Sequence, residues 1–459
     1  MYLKYIVFLV LWLSACSAID KTPTTNIVYA SSWEYAAQSP QAIELEKNWW
    51  SHFNSPQLTQ LVEIAHQQNL DVLIASERVK QAELQMQIAN ASLFPSADLN
   101  GASGEKSTKA EGAHRASSQS TSLGFSVHYE LDLWGSGMAN RHAAASSYKS
   151  VLFTHEAVRL STSAAVATAW FNYVSLQERI NTAQKNTEIA ERIQRIVESL
   201  YRNGVVSAAD VASQRTNFLN QKNALLPLQL QLNQTRAAIA LLEGRAPQAY
   251  QLPNEKLGDF NIPGVVAAGI PADIITRRPD IASSEAQLHA ASANVYAART
   301  ALLPSVQLSG NTGKTAAELF TLNPAMQTAG WSLSLAQTIF AGGRVKNQVR
   351  ITQSRQQELL EQYRKTILIA LQEVDDAFNR VNLTQQQEEN QQQVVSQAER
   401  SLKLNEAQYR AGSIGLQALL DSQRSLFQAQ DALVQQRLAR LKATVDLYKA
   451  LGGGWVRTA

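Results

Sequence analysis

The chain carries one set of landmarks twice. Leu93-Phe94-Pro95-Ser96 returns as Leu302-Leu303-Pro304-Ser305, an offset of about 209 residues. Asn69-Leu70-Asp71-Val72 matches Arg278-Pro279-Asp280-Ile281, and Leu133-Trp134-Gly135-Ser136-Gly137 matches Ile339-Phe340-Ala341-Gly342-Gly343. Tyr201-Arg202-Asn203-Gly204 matches Tyr409-Arg410-Ala411-Gly412, and Ser213-Gln214-Arg215 matches Ser422-Gln423-Arg424. Landmarks in one order at nearly one offset mark a duplicated unit. The period is too long for a solenoid, so each copy is a full set of secondary elements.

Each copy contains a strand pair. From Ser122 to Trp134 the apolar residues Leu123, Phe125, Val127, Tyr129, Leu131 and Leu133 alternate with Ser, Gly, His, Glu and Asp. That is the period-2 signature of a strand with one apolar and one wet face. Trp331, Leu333, Leu335 and Ile339 repeat it. Upstream partners are expected at Pro95–Ser103 and Pro304–Thr312, joined through polar loops at Glu105–Gln119 and Lys314–Gln327. The strand length suits a tilted membrane strand of roughly 9–11 residues. A soluble β-sandwich uses the same alternation, but only four strands are visible. Four strands cannot close a barrel, which needs at least about eight. They form either two open hairpins or part of a barrel shared among several chains, which also removes exposed sheet edges.

The remainder of each copy reads as helix. Proline is absent from 96–226 and from 325–459, as long helices require. Arg344–Ala411 would extend roughly 100 Å at 1.5 Å per residue. A seven-residue step runs through Ile367, Val374, Val381, Glu388, Val395, Leu402 and Tyr409, while its companion position turns polar after Leu371 and Phe378. This is half a coiled-coil seam, and it argues for helix through the Gln-rich stretch 379–397. The matching helix is Met138–Asn203. Gly204 and Gly412 close turns, and return helices follow at Ser207–Glu243 and Ser413–Leu451, with Pro227 expected to break or kink the first. The resulting organisation is a signal peptide at 1–15, a lipidated N-terminal segment at 16–50, a first repeat at 51–250 (hairpin 94–134, helices 138–203 and 207–243), a linker at 251–272, a second repeat at 273–454 (hairpin 303–340, helices 344–411 and 413–451) and a tail at 455–459.

At the N-terminus, Lys4 precedes an apolar stretch from Ile6 to Leu13 that is too short to span a bilayer. Leu13-Ser14-Ala15 leads into Cys16, the only cysteine, in the pattern of a bacterial lipobox; acylation of the Cys16 thiol follows. Ser17 after it points to the outer membrane. No later stretch approaches the roughly 18 apolar residues of a membrane helix, so a membrane crossing must be made by strands.

With a net charge of +3 and no basic patch, nucleic acid is not an expected partner. The seven His are scattered without metal-ligand spacing, and Gly342-Gly343 lacks a phosphate-loop Lys-Ser/Thr. No catalytic residue, metal or cofactor is expected. Arg277-Arg278-Pro279-Asp280 reads as structural: Pro279 suits a first helical turn and Asp280 complements the helix dipole.

These residues together resemble the outer-membrane efflux protein family, the TolC-like channels, in its lipoprotein subgroup. The resemblance spans nearly the whole mature chain. It rests on Cys16, on Thr276 to Ile281 after Gly269-Ile270-Pro271, on Leu303-Pro304-Ser305, on Ile339 to Gly343 and on Leu241 to Pro247. It implies an α+β membrane protein acting as a homotrimer. Four strands per chain would complete a 12-stranded barrel, continued by an antiparallel α-helical coiled-coil barrel in the periplasm. The trimer would be a passive exit duct for drugs, toxic compounds or metals delivered by an inner-membrane pump and a periplasmic adaptor. It further implies a constriction at the periplasmic tips, with acidic positions here at Asp421 and Asp210. Tyr409 packs across the closed tips or simply on the seam. Ile414 stands where relatives often place a basic or hydroxyl residue, leaving Arg410 to hold the closed state. Adaptor hairpins would dock at Gly204-Val205-Val206-Ser207 and Gly412-Ser413-Ile414. Two rival readings are the duct of a type I protein-secretion system and a periplasmic coiled-coil structural lipoprotein.

Overall fold

The computed structural model describes residues 23, 27–35, 46–109, 111–112, 114–262 and 269–457; Cys16 lies outside them. After a short 3-10 turn at Trp49–Phe53 come α1 (Pro56–Gln68), α2 (Leu70–Ala91), β1 (Ser96–Thr108), β2 (Ala116–Glu130), α3 (Ser136–Arg202) and α4 (Ala208–Leu242). A four-residue helical turn at Ile274–Arg277 precedes α5 (Pro279–Thr300), β3 (Ser305–Ala316), β4 (Met326–Ala336), α6 (Arg344–Arg410) and α7 (Leu416–Ala450). The chain forms two compact units, each drawing segments from both halves of the sequence.

The first unit holds the strands, which form one antiparallel sheet in the order β1-β2-β3-β4. The register sorts every side chain onto one of two faces. One row runs Ala97, Val127, Gly310, Trp331; the next runs Leu99, Phe125, Thr312, Ala329; others pair Tyr129, Leu308 and Leu333, then Val306 and Leu335. The opposite face carries Asp98, Ser126, Asn311 and Gly330, then Ser96, His128, Ser309 and Ser332. The apolar face is bare: Trp331 is 80% exposed and Leu99 72% exposed. β1 and β4 are free edges within this sheet.

The strands extend well into both expected loops, because cross-strand pairing continues through polar residues up to Thr108–Ala116 and Thr315–Met326. At its other end β2 stops at Glu130, short of the expected Trp134. There Asp132 accepts from the backbone N–H groups of Gly137 and Met138, both at 2.9 Å, and becomes the start signal of α3. Trp134 donates its indole N–H to the Pro304 carbonyl at 2.5 Å. Pro227 does not break α4, which runs unbroken from Ala208 to Leu242. Pro227 sits on the exposed side, where water can satisfy the carbonyl it leaves free.

The second unit contains most of the helical mass. The seam on α6 is buried as its spacing predicts, with Ile367 and Val374 fully covered and Leu402 and Tyr409 nearly so. At Glu388, a charge occupies a core position 2% exposed; Arg437 and Arg440 neutralise it at 3.3 and 3.1 Å. Arg437 also donates to the carbonyls of Leu257, Gly258 and Phe260, fastening the linker to α7. An aromatic cluster completes this core. Trp49 stacks on Tyr448 at 5.3 Å between ring centroids, and Phe171 packs against Phe53 and Phe260 at 4.9 and 5.1 Å.

All four long-helix ends close alike. After α3, Gly204 N–H bonds Tyr201 and Val205 N–H bonds Leu200; after α6, Gly412 bonds Tyr409 and Ser413 bonds Gln408. The ends of α4 and α7 repeat the pair at Gly244/Arg245 and Gly452/Gly453. This is the Schellman closure, which needs the positive φ glycine tolerates.

Candidate functional site at the hairpin tips

Two helical hairpins, α3–α4 and α6–α7, bring together most of the residues singled out in the sequence. Their tips share a core of Ile193, Val197, Leu402, Leu419, Leu426 and Phe427, against which Val206 and Ile414 are also packed. Gly204 and Gly412 both adopt φ of +72° with open space around them.

Tyr409 belongs to this core, 6% exposed, and its hydroxyl has no hydrogen-bond partner among the described residues. Burial, assisted by the nearby charge of Asp210, raises its pKa. Asp210 is committed locally: its carboxylate accepts from the Ser207 N–H and hydroxyl at 2.9 and 2.8 Å, and its own N–H bonds Ser207 Oγ at 3.2 Å. That reciprocal capping box starts α4. The second hairpin has no counterpart, because Gly415 stands at the cap of α7. Asp421 is exposed one turn into α7, accepting from Gln417 at 3.1 Å and facing Arg424 at 3.4 Å. Arg410 is exposed at the last position of α6. Asp421 is therefore the more available of the two carboxylates.

Sequence reasoning missed the polar ties within and between the hairpins. Arg179 on α3 grips Asp431 on α7 through two hydrogen bonds of 2.6 and 3.1 Å. Arg192 reaches Glu406 at 2.7 Å. Gln214 and Gln423, already matched by the repeat, are both fully buried; Gln214 donates to the Ala190 carbonyl at 2.8 Å and Gln423 accepts from Asn217 at 3.0 Å. The repeated Ser-Gln-Arg was their one visible signal.

Among the described residues, no helix is long and apolar enough to cross a membrane, and no cluster of His, Cys, Asp or Glu could hold a metal ion. The two-faced sheet is the element suited to lipid, and the hairpins carry the polar work. The fold is that of an outer-membrane channel. A profile described as outer membrane efflux protein matches residues 61–245 and 270–453, and the chain belongs to that family. It is 35% identical to the pyoverdine export outer membrane protein OpmQ of Pseudomonas putida, over 96% of this chain and 95% of that protein. Identity to the probable outer membrane lipoprotein SilC of Salmonella typhimurium is 28%, covering 92% of this chain and 94% of SilC. The crystal structure of the Campylobacter jejuni CmeC outer membrane channel superposes with a TM-score of 0.85 at 26% identity, covering 95% of this chain and 96% of CmeC. The protein is an outer-membrane efflux channel.

Proposed function

We propose that three copies of this chain close one 12-stranded barrel and form a passive exit duct, without catalysis, for small molecules handed over by an inner-membrane pump through a periplasmic adaptor. The observation that carries this reading is the sheet: four strands, two unpaired edges, one apolar face and one polar face. An isolated sheet of this kind would leave its edges unsatisfied in lipid, whereas a closed ring satisfies them. The apolar face then meets lipid and the polar face lines the pore. The duplicated units 51–250 and 273–454 supply one hairpin each.

The tips form the constriction. Three Asp421 carboxylates around one axis would repel one another and favour cations, with Asp210 and Tyr409 close behind and Arg410 at the rim. The adaptor docks on Gly204, Val205, Gly412 and Ser413; Ser207 is held by its cap, and Val206 and Ile414 are partly occupied by the tip core. Cys16 carries a lipid anchor, in keeping with the word lipoprotein in the name of SilC. Pyoverdine export by OpmQ supports a small-molecule cargo.

Single-channel recording of the purified protein, wild type beside Asp421→Ala, tests the reading. Small cation-selective steps that lose selectivity in the variant support it. Unchanged selectivity moves the constriction elsewhere, and a confirmed trimer that never conducts overturns the duct.

A further inference from the structure

The outward face of the sheet has one feature that a purely hydrocarbon surroundings does not explain. From the Val306–Leu335 pair to the row Gly101, Leu123, Lys314, Gln327, Lys314 is the one charged side chain among the described outward positions. It is exposed, and no carboxylate of the described residues pairs with it. Beside it lies a groove of about 440 Å³ walled by Leu99, Leu123, Phe125, Thr312 and Ala329. All five are outward by register, and the small side chains of Thr312 and Ala329 keep its floor low.

The position of Lys314 within the bilayer follows from strand geometry. Lys314 is eight residues beyond Val306 on β3 and two residues from the strand's end at Ala316, on the side of the hairpin loops. At about 3.3 Å per residue and a tilt near 45°, those eight residues climb roughly 19 Å of an apolar band about 25 Å tall. The butylammonium stem spans the remainder, placing the cation at the headgroup level of the outer leaflet. A groove walled by Leu99, Leu123 and Phe125, with Gln327, Thr328 and the Lys314 ammonium in its polar lining, matches a molecule with an acyl chain and an anionic head.

We propose that this face binds a phosphate-bearing lipid of the outer leaflet, one acyl chain in the groove beside Phe125 and its phosphate on Lys314. The proposal rests on the trimeric barrel reading, which sets this face toward lipid. Compact and strongly hydrated, an ammonium recognises phosphate as a point charge.

The test is native mass spectrometry of the detergent-extracted full-length protein, titrated with bis-phosphorylated lipid A or its dephosphorylated form. Wild type should prefer the phosphorylated lipid by about tenfold, the scale of one charge-assisted contact. Lys314→Gln should abolish that preference, and Thr312→Trp, which fills the groove, should weaken both lipids. Lys106→Gln removes the same charge from the opposite face of β1 and should change nothing. Equal binding by wild type and Lys314→Gln, or an equal loss in Lys106→Gln, overturns the site. Planar-bilayer currents on the same samples separate the two readings. Conducting trimers whose lipid preference ignores Lys314 remove the lipid site alone, whereas a wild type that neither trimerises nor conducts removes the barrel and the site together.

Discussion

Asn69 and Arg278 occupy the same place in the two copies and make the same bond to the end of a return helix. Asn69 Nδ2 donates to the Leu242 carbonyl at 2.9 Å, and Arg278 Nη1 donates to the Ala450 carbonyl at 3.1 Å. Each also serves the start of the helix that follows. Asn69 Oδ1 caps the N–H groups of Asp71 and Val72, and Arg278 forks onto Asp280 at 3.0 and 2.7 Å while reaching Glu373 at 2.6 Å. The duplication preserved the joint and changed its chemistry.

The two joints should fail unequally. Arg278→Ala leaves a buried carbonyl and two carboxylates without their cation, at a cost of about 3 kcal/mol, whereas Asn69→Ala should cost about 1–2 kcal/mol for a lost cap and one neutral bond. Denaturant titration of the helical signal in detergent would rank them; an Asn69 variant as damaged as Arg278→Ala contradicts the comparison.

The four closing glycines separate into two classes. A Cβ at Gly204 or Gly412 meets nothing, so Ala there pays only for positive φ, about 1–2 kcal/mol. At Gly244 and Gly452 the same atom would lie 2.3 Å from the Gln68 carbonyl oxygen and 1.8 Å from that of Arg277. Gly412→Ala should melt a few degrees early, and Gly452→Ala should fail to yield folded protein at normal expression levels. Comparable yields of the two would show that the joint has room.

Glu388 is the one carboxylate placed on the α6 seam, and its two arginines are pinned beside it. Glu388→Ala should destabilise by about 1–3 kcal/mol, since Arg437 and Arg440, 27% and 23% exposed, lose the buried carboxylate that both of them hold. Adding Arg440→Leu to Glu388→Leu should recover part of that loss. Hydrogen exchange at Leu257–Phe260 reports whether the linker loosens, as the Arg437 contacts require.

His66 gives the fold an acid limit. Burial, then the Arg159 charge, lower its pKa to about 4, and its Nε2 sits 2.7 Å from the Ser163 hydroxyl. The unfolded chain takes up this proton near pH 6.5 and the folded chain only near 4. Stability from the neutral imidazole is therefore complete above pH 6.5 and is lost as pH falls from there to 4. Melting curves across that window should converge for wild type and His66→Gln as pH falls. A constant gap between them would exclude His66.

Much of this was legible in sequence because it depends on local periodicity. Alternation from Leu123 to Leu131 gave β2 its faces, the seven-residue step through Ile367 and Leu402 gave α6 its seam, and the Tyr-Arg-x-Gly pairs gave the helix ends. Strand limits were misread where polar residues such as Ser117 and Lys106 pair as well as apolar ones, because backbone ladders do not depend on side-chain hydropathy. The break expected at Pro227 does not occur, because its exposure to water, set by packing, decides what the missing bond costs.

Sequence by itself determined the repeat, the order of elements and the family, since period, cap and glycine signals act over a few residues. The tertiary structure alone decided that β2 pairs with β3 and that Arg179 holds Asp431. Those outcomes join residues up to 252 positions apart, and no local preference encodes a partner at that distance. Shape and burial choose it once the helices and strands have packed.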